Sequence, residues 1–304
     1  FVSDTNYGWG PNSIGDSTDI PNWTDWFRSA DTPIYMNALF NENGQNSDYT
    51  RLFDDPGGEN TIILFKSCFP NSALEGSPDD PPDPDGWLTV GHAKYVYNEI
   101  LQYFATRPDR LFIVITAPPL SDPTYAENAR AFNQWLVYDW LAENDYPYNN
   151  VAVFDFYNVL TGPDNHHRWN GSEIEHFFAE GMNTEYYPSD ADHPAQAGNR
   201  KATEEFIPLL NIFYHRWQAG SAQLPPSGTG GGEGLEPDQP PGDTGGPIAD
   251  FETTGLEGWY TNRDEATPSV MSCGPQDGAL QLDFDIPSGT WGTCVMSYDT
   301  ARDW

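Results

Sequence analysis

The sequence predicts an α/β fold, in which helices cover both faces of a parallel sheet, followed by a smaller all-β module. Three short and largely apolar runs, each bounded by polar or Pro-rich segments, are typical of buried strands: residues 61–66, 111–116 and 151–156. The segments between these runs are long enough to hold helices. Strands that alternate with helices form parallel sheets, because a parallel pair needs a long crossover connection rather than a tight hairpin.

Apolar residues recur at helical spacing in the two segments that connect the strands. In residues 89–106 they are Val90, Tyr97, Ile100, Leu101 and Phe104, and in residues 125–143 they are Ala129, Phe132, Leu136 and Trp140. A last helix is predicted over residues 194–217. Its first turn would contain Pro194, and Pro208 would kink or interrupt it.

A change in composition divides the chain after this helix. Residues 225–246 are rich in Gly and Pro and contain no aromatic or basic residue, which is typical of a linker. We therefore expect a first domain over residues 1–224, a linker over 225–247 and a second domain over 248–304. The short β-like runs of the second domain indicate a β-sandwich, but its 57 residues are fewer than the ~100 that such a sandwich needs. We expect an incomplete module.

The charge balance restricts the possible partners. The chain has 46 acidic and 13 basic residues, which gives a formal net charge of −33. Such a field repels phosphate backbones and anionic lipid surfaces, so neither nucleic acid nor a membrane is an expected partner. The aromatic content of 14% is too high for a disordered acidic chain, and most of the protein should fold. An acidic composition poor in lysine is typical of proteins that face salt or the extracellular medium.

A short motif precedes the last predicted helix. Asp190 lies three residues before His193, and Pro194 follows. In a loop at the carboxyl edge of a parallel sheet, this spacing lets the carboxylate orient the imidazole, whose other nitrogen then faces a substrate as a general base. An isolated Asp-x-x-His is more often a helix cap beside a surface histidine. The motif therefore indicates a catalytic histidine only in the context of the alternating strands and helices that precede it.

In that context, residues 1–218 resemble the SGNH, or GDSL-like, hydrolases. An Asp-x-x-His-Pro block leads into the last helix of that family, and the run KSCFPNS after the first predicted strand is similar to a KSC-[FY]-P signature of a bacterial subgroup. The resemblance implies a flavodoxin-like three-layer α/β/α sandwich with a parallel sheet, and cleavage of esters, often acetyl esters of carbohydrates, by Ser, His and Asp. It assigns the Asp and His to Asp190 and His193, and an oxyanion-hole amide to Asn71.

The nucleophile is the point at which the chain departs from the family. The family's serine directly follows the first strand, whereas the Gly-Asp-Ser of residues 15–17 follows a loop rich in Gly, Asn and Pro. In one interpretation Ser17 nevertheless serves as the nucleophile. In the other, which we favour, the serine-bearing block lies upstream of Phe1, and Gly8 or Gly10 supplies a backbone N–H to the oxyanion hole. The second interpretation predicts that residues 1–304 alone lack esterase activity.

Other polar groups favour structural interpretations, and no metal or cofactor is expected. One group matches no recognised metal-site spacing and is expected in a polar surface loop: His166, His167, Glu173, Glu175 and His176. The acidic run at residues 79–85 is expected to be a solvated, extended loop, with weak Ca²⁺ binding as the alternative. Cys68 is expected to pack at the end of a strand, and Cys273 and Cys294 are expected to form a disulfide.

Two classes of function follow from these observations. As an enzyme, the chain would be a secreted ester hydrolase acting on acylated carbohydrate, with a tethered carbohydrate-binding-like module. As a non-catalytic protein, it would be an extracellular glycan-binding or surface-assembly domain that retains the hydrolase fold and can associate with itself. A carbohydrate or acylated glycan is the expected partner in both. In the second domain, Trp259, Tyr260 and Trp291 would stack on sugar rings or belong to the core.

Overall fold

The computed structural model describes residues 1–47, 54–186 and 192–220, together with the backbone of four strands nearer the carboxyl terminus. The chain divides into two compact units, Phe1–Gly231 and Gly232–Trp304. The boundary between them falls inside the Gly/Pro-rich segment. The first unit contains every residue that the sequence nominates for a catalytic site.

The elements of the first unit alternate in the order that the sequence predicts. Its strands are β1 (Ile62–Lys66), β2 (Leu111–Ile115), β3 (Val151–Phe154), β4 (His166–Trp169) and β5 (Ile174–Phe177). Its helices are α1 (Trp23–Arg28), α2 (Thr32–Phe40), α3 (Val90–Ala105), α4 (Ala126–Tyr138), α5 (Trp140–Glu143), α6 (Phe156–Leu160) and α7 (Gln196–Ala219). Short 3-10 turns lie at Pro11–Asp16, Ile20–Asn22 and Phe69–Ser72.

The first three strands form one parallel sheet in the order β1-β2-β3. The register places Ile62 of β1 opposite Leu111 of β2, and Phe112 of β2 opposite Val151 of β3. The connection from β1 to β2 contains α3, and the connection from β2 to β3 contains α4 and α5. The predicted α/β architecture with parallel strands is confirmed.

Side chains of the sheet alternate between two apolar clusters, one on each face. Phe112 of β2 faces a cluster that includes residues of α1, α3 and α4, and it stacks on Phe104 with ring centroids 4.2 Å apart. Leu111 and Ile113 point the other way, into a cluster with Leu209 of α7. Helices therefore cover both faces, which explains why these strands are almost continuously apolar.

Local signals set the ends of the helices. α3 begins after Thr89, whose hydroxyl accepts a hydrogen bond from the backbone N–H of His92 at 3.1 Å. α7 ends at Ala219, and Gly220, which follows it, adopts a φ of 65° that a residue with a side chain rarely takes. The helix predicted over residues 125–143 is divided at Asp139 into α4 and α5.

The last helix differs in two respects from the prediction. It begins at Gln196, so Pro194 precedes the helix instead of lying in its first turn. It also continues through Pro208 without a break, and the buried side chains of Leu209 and Phe213 just beyond the proline pack against the sheet. Tertiary packing thus offsets the hydrogen bond that the proline removes. None of the described helices has the length and apolar content needed to span a bilayer.

The described part of the second unit consists of four strands. They are β6 (Trp259–Arg263), β7 (Val270–Gln276), β8 (Ala279–Asp285) and β9 (Gly292–Met296). β6 pairs antiparallel with β9, and β7 pairs antiparallel with β8. Cys273 lies on β7 and Cys294 on β9, but their side chains lie outside the described residues, so the disulfide stays a prediction.

The stacked pair in the larger cluster gives a test of this core. We expect Phe104→Ala to lower the free energy of unfolding by about 3–5 kcal/mol, because Phe104 is fully buried and its loss leaves a cavity beside Phe112. Denaturant unfolding followed by circular dichroism would measure this change. The matched control is Tyr7→Ala, which removes an exposed ring and should change stability by less than about 0.5 kcal/mol.

Candidate functional site

The three parallel strands end at one edge of the sheet, and a buried polar residue follows closely on each of them. Ser67 follows β1, Thr116 follows β2 and Asp155 follows β3, and all three are almost fully buried. Ligand sites in open α/β sheets form outside the carboxyl ends of the strands. The predicted site is therefore expected at this edge.

Asn71 joins the loop after β1 to the amino-terminal loop. Its Oδ1 accepts a hydrogen bond from the backbone N–H of Ile20 at 2.7 Å, and its Nδ2 donates to Asp19 Oδ1 at 2.7 Å. The side chain is only 1% exposed. Asn71 thus holds residues 19–20 at the carboxyl edge of the sheet, and its amide has one further N–H to donate.

Ser17 lies two residues from Asp19, at the end of the 3-10 turn Pro11–Asp16. Its carbonyl oxygen accepts a hydrogen bond from Trp26 Nε1 at 2.6 Å, which fixes the backbone of the loop. Its hydroxyl is half-buried and makes no hydrogen bond to another described residue. The structure thus brings Ser17 near the edge through the loop that carries it, without the hydrogen bond to a base that a serine nucleophile uses.

Gly10 precedes the same turn and has a φ of 78°. It is exposed, and its carbonyl oxygen accepts the N–H of Ser13 at 3.2 Å. Gly8, the other candidate, donates its N–H to Asp16 Oδ1 at 2.8 Å. The N–H of Gly8 is therefore already used within the loop, which leaves Gly10 as the better candidate for an oxyanion-hole donor.

His193 reaches the loop after β1 from the other side. Its ring lies edge-on against Phe69, with centroids 5.0 Å apart and an interplanar angle of 73°. Phe69 is two residues before Asn71, so the histidine and the asparagine belong to the same edge of the sheet. Asp190, its predicted partner, lies outside the described residues.

Asp192, directly before the histidine, anchors this segment to the loop after β2. Its Oδ1 accepts hydrogen bonds from the backbone N–H of Ser121, at 2.9 Å, and from the Ser121 hydroxyl. These bonds hold the pKa of Asp192 below its usual range. Asp192 has a φ of 54°, a conformation that aspartate tolerates better than most residues. The Asp-x-x-His spacing drew attention to Asp190, and sequence reasoning missed Asp192.

Glu185 is a further acidic group at this segment that sequence reasoning missed. Both of its carboxyl oxygens are buried and make no hydrogen bond to a described residue. Burial, together with the nearby charge of Asp192, raises the pKa of Glu185 to about 7. No sequence signal marks this residue, because its pKa depends on groups that only the fold brings near it.

A second polar cluster lies deeper, behind β3. His176 Nε2 and Asp155 Oδ2 are 2.7 Å apart, and His176 Nδ1 lies 2.8 Å from the Tyr138 hydroxyl. Burial by itself would raise the pKa of Asp155, but the hydrogen bond and charge of His176 outweigh it and lower the pKa to about 2. The order carboxylate, imidazole, hydroxyl matches that of a catalytic triad. The side chains of Asp155 and His176 are both 0% exposed, so no substrate reaches them and the cluster is structural.

The expectation of a polar surface loop at these histidines is wrong. β4 and β5 pair as an antiparallel hairpin, and both His167 and His176 are buried in it. His167 Nδ1 accepts the backbone N–H of Asp155 at 2.8 Å, and the Glu205 carboxylate lies 2.8 Å from His166 Nδ1. The hairpin packs against α7, so polar residues that look solvated in the sequence lie inside the unit.

The remaining predicted groups have ordinary structural surroundings. The acidic run 79–85 is exposed except at the half-buried Asp80, whose backbone carbonyl accepts a hydrogen bond from Lys94 of α3 at 2.9 Å. Cys68 is half-buried and is a free thiol. Within the described ranges, no group of three or more His, Cys, Asp or Glu side chains is arranged to hold a metal ion.

Comparison of the chain with protein families, with curated proteins and with solved structures finds no match. The assignment of a function therefore depends on the geometry of the carboxyl edge and on the motifs that the sequence carries.

The buried histidine of the hairpin predicts how stability depends on pH. Burial and the neighbouring His176 lower the pKa of His167 to about 3, whereas an unfolded histidine titrates near 6.5. The unfolded chain therefore binds more protons below about pH 6.5, and stability is lost as the pH falls from there toward 3. The loss attributable to His167 should be on the order of 3 kcal/mol near pH 4.

Urea denaturation between pH 4 and 8 would measure this dependence in the wild type and in His167→Gln. The variant should have a flatter profile between pH 4 and 6.5, since glutamine does not titrate. His215→Gln, at an exposed position on α7, is the matched control and should leave the profile unchanged. Identical profiles for the wild type and His167→Gln would contradict the prediction.

The bridge made by Asn71 is also testable through stability. Asn71→Ala removes the acceptor of the Ile20 N–H and the donor to Asp19, so we expect it to lower the free energy of unfolding by about 1–3 kcal/mol. Asn37→Ala, on the exposed face of α2, is the control and should have no such effect. Thermal unfolding of the two variants gives the comparison, and equal midpoints would show that the bridge is not stabilising.

Proposed function

We propose that the first unit is an ester hydrolase of the SGNH type that acts on acylated carbohydrate outside the cell. The observation that carries the proposal is the convergence of three distant segments at the carboxyl edge of the parallel sheet. Asn71 binds residues 19–20, and His193 contacts Phe69, two residues from Asn71. Base, amide donor and serine-bearing loop are the parts that acyl transfer requires.

The finer architecture is part of the same proposal. A flavodoxin-like three-layer sandwich would have a parallel sheet between helices, and the two apolar clusters on opposite faces of β1-β2-β3 support it. The antiparallel pairs β6–β9 and β7–β8 support a partial β-sandwich in the second unit. We assign that unit a carbohydrate-binding role, because its aromatic residues include Trp259, Tyr260 and Trp291.

Each group would have a separate role in the reaction. Asp190 would orient the imidazole of His193, which would accept the proton of a serine hydroxyl as that serine attacks the acyl carbon. The amide of Asn71 and the N–H of Gly10 would donate to the oxygen that becomes negative in the tetrahedral intermediate. The sugar hydroxyl would leave with the proton from His193, and water would then release the acid by the same steps in reverse order.

One observation favours the second candidate, a glycan-binding protein that retains the hydrolase fold. The Ser17 hydroxyl makes no hydrogen bond to a described residue, and both polar atoms of the Asn71 amide are engaged within the protein. In this arrangement Ser17 does not meet the requirement for an activated nucleophile. Residues 1–304 would then bind acylated glycans at the same edge and turn them over feebly.

Hydrolysis of an aryl acetate separates these candidates. We expect the chain to act only weakly, roughly 10³–10⁴ above water, because the base and the donors are present while a bonded serine is not. His193→Gln should lower this rate without abolishing it, because it removes an imidazole that acts as a base toward water while the backbone and amide donors remain. Ser17→Ala should leave the rate unchanged, and His215→Gln serves as the matched histidine control. A stopped-flow or long-time spectrophotometric assay gives all four rates.

Two other outcomes would change the assignment. Robust turnover that is lost in Ser17→Ala would make Ser17 the nucleophile and would contradict our expectation of weak activity. A rate that His193→Gln does not alter would remove the histidine from the chemistry, and the binding protein would then be the better description.

A further inference from the structure

A cavity lies at the opposite edge of the sheet from the proposed ester site. It is bounded by α4, α5 and the loop 145–149, which leads into β3 and therefore lies at the amino end of that strand. We call it the tyrosine groove and define it by Asp145, Tyr146, Tyr148 and Asn149. Its volume is about 280 Å³, near the lower end of the ~300–1,000 Å³ that is usual for small-molecule sites.

The floor of the groove is apolar and its aromatic wall is rigid. Leu136, Leu141 and Val153 contribute to the floor. Tyr146 is held by two hydrogen bonds, from its hydroxyl to Asn150 Oδ1 at 2.8 Å and from its backbone N–H to the carbonyl of Leu141 at 3.0 Å. A wall that is already fixed loses little conformational entropy when a ligand binds.

Tyr148 presents an open ring beside this fixed one. The two rings meet nearly at right angles, with centroids 5.9 Å apart and an interplanar angle of 75°. Tyr148 is 41% exposed. Its ring thus offers an apolar surface, with a polar hydroxyl, to a molecule in the groove.

Three polar side chains around the groove have no hydrogen-bonding partner among the described residues. The carboxylate of Asp145, the amide of Asn149 and the hydroxyl of Tyr148 make no side-chain hydrogen bond or ion pair with any described residue. Asp145 lies at the tip of its turn with a φ of 45°. The groove therefore combines an apolar floor and an aromatic wall with free hydrogen-bonding groups, which is the composition of a ligand site.

Charge narrows the class of ligand. The chain has a net charge of −33, and the one ionised group among the free polar groups named above is the carboxylate of Asp145, so an anionic ligand would be repelled. A neutral sugar matches the remaining features, because its C–H face packs on an aromatic ring while its hydroxyls bind carboxylates and amides. A quaternary ammonium would use the rings and the carboxylate but would gain nothing from the Asn149 amide.

We infer that the tyrosine groove binds a neutral carbohydrate, with a sugar ring on Tyr148 and its hydroxyls on Asp145 and Asn149. This site is separate from the proposed ester site and does not depend on that function. The two lie at opposite edges of one sheet, so a glycan held in the groove does not occupy the carboxyl edge.

Fluorine NMR of the full chain labelled with 3-fluorotyrosine tests the inference at the groove itself. Tyr148→Phe removes one resonance and thereby assigns it. Neutral hexasaccharides of glucose, xylose and mannose are then titrated against the labelled wild type, with choline and hexagalacturonate as charged probes. We expect at least one neutral hexasaccharide to shift the Tyr148 resonance in a saturable way.

Variants connect the shift to the polar groups. Asp145→Ala combined with Asn149→Ala should weaken the binding at least about fivefold, since two hydrogen-bonding groups are lost. Tyr7→Ala, at an exposed tyrosine away from the groove, should leave it unchanged. The readout is the resonance of Tyr148 itself, and the double variant tests whether a shift of that resonance depends on the polar groups of the groove.

Three results would overturn the inference. The first is the absence of any shift of the Tyr148 resonance with all three neutral hexasaccharides. The second is a shift that the double variant leaves unaltered. The third is tighter binding of choline or hexagalacturonate than of any neutral sugar, which would assign the groove to a charged ligand. Loss of esterase activity is not among these results, so the two proposals can fail independently.

Discussion

Burial of the parallel sheet on both faces is the constraint on which the first unit depends. β2 is the central strand, and four of its five side chains are fully buried, alternately on one face and the other. Two separate layers are needed to cover them, one containing α1, α3 and α4 and the other containing α7. The crossover connections that provide these layers also keep the strands parallel, and parallel strands bring all their carboxyl ends to one edge.

Forming that edge costs free energy, because each strand is followed by polar groups that are buried away from water. Thr116 shows how the fold satisfies them: its hydroxyl lies 3.2 Å from Asp155 Oδ1 and accepts the backbone N–H of Tyr157 at 2.9 Å. Asn71 does the same for the amino-terminal loop. Such groups are expensive to bury alone and stabilising when every partner is present, so the edge is rigid. A rigid edge is the kind of support on which a catalytic or binding site can be built.

Two histidines near this edge differ in their exposure to solvent, and that difference decides whether each could act on a substrate. Asp155, His176 and Tyr138 have the hydrogen-bonding order of a catalytic triad, yet the carboxylate and imidazole are sealed from solvent. The ring of His193 contacts Phe69 and the residue is exposed, so a substrate can reach it. Access decides which of the two histidines is a candidate for chemistry. The tyrosine groove follows the same logic, since its open ring and unpartnered polar groups face solvent at the other end of the sheet.

The local pattern of the sequence determined the strands, the helices of the crossovers and hence the α/β class. Continuous apolar runs and helical periodicity are properties of residues that are close in sequence, so they can be recognised before the fold is known. The Asp-x-x-His spacing and the loop after β1 likewise pointed to one edge. The tertiary structure alone decided that His167 and His176 are buried, because the hairpin and α7 are far apart in sequence. It also decided that α7 continues through Pro208, that Asn71 binds residues 19–20, and that a carboxylate, an amide and two tyrosines surround one groove. Each of these depends on which surfaces meet, and a pattern of polar and apolar letters does not contain that information.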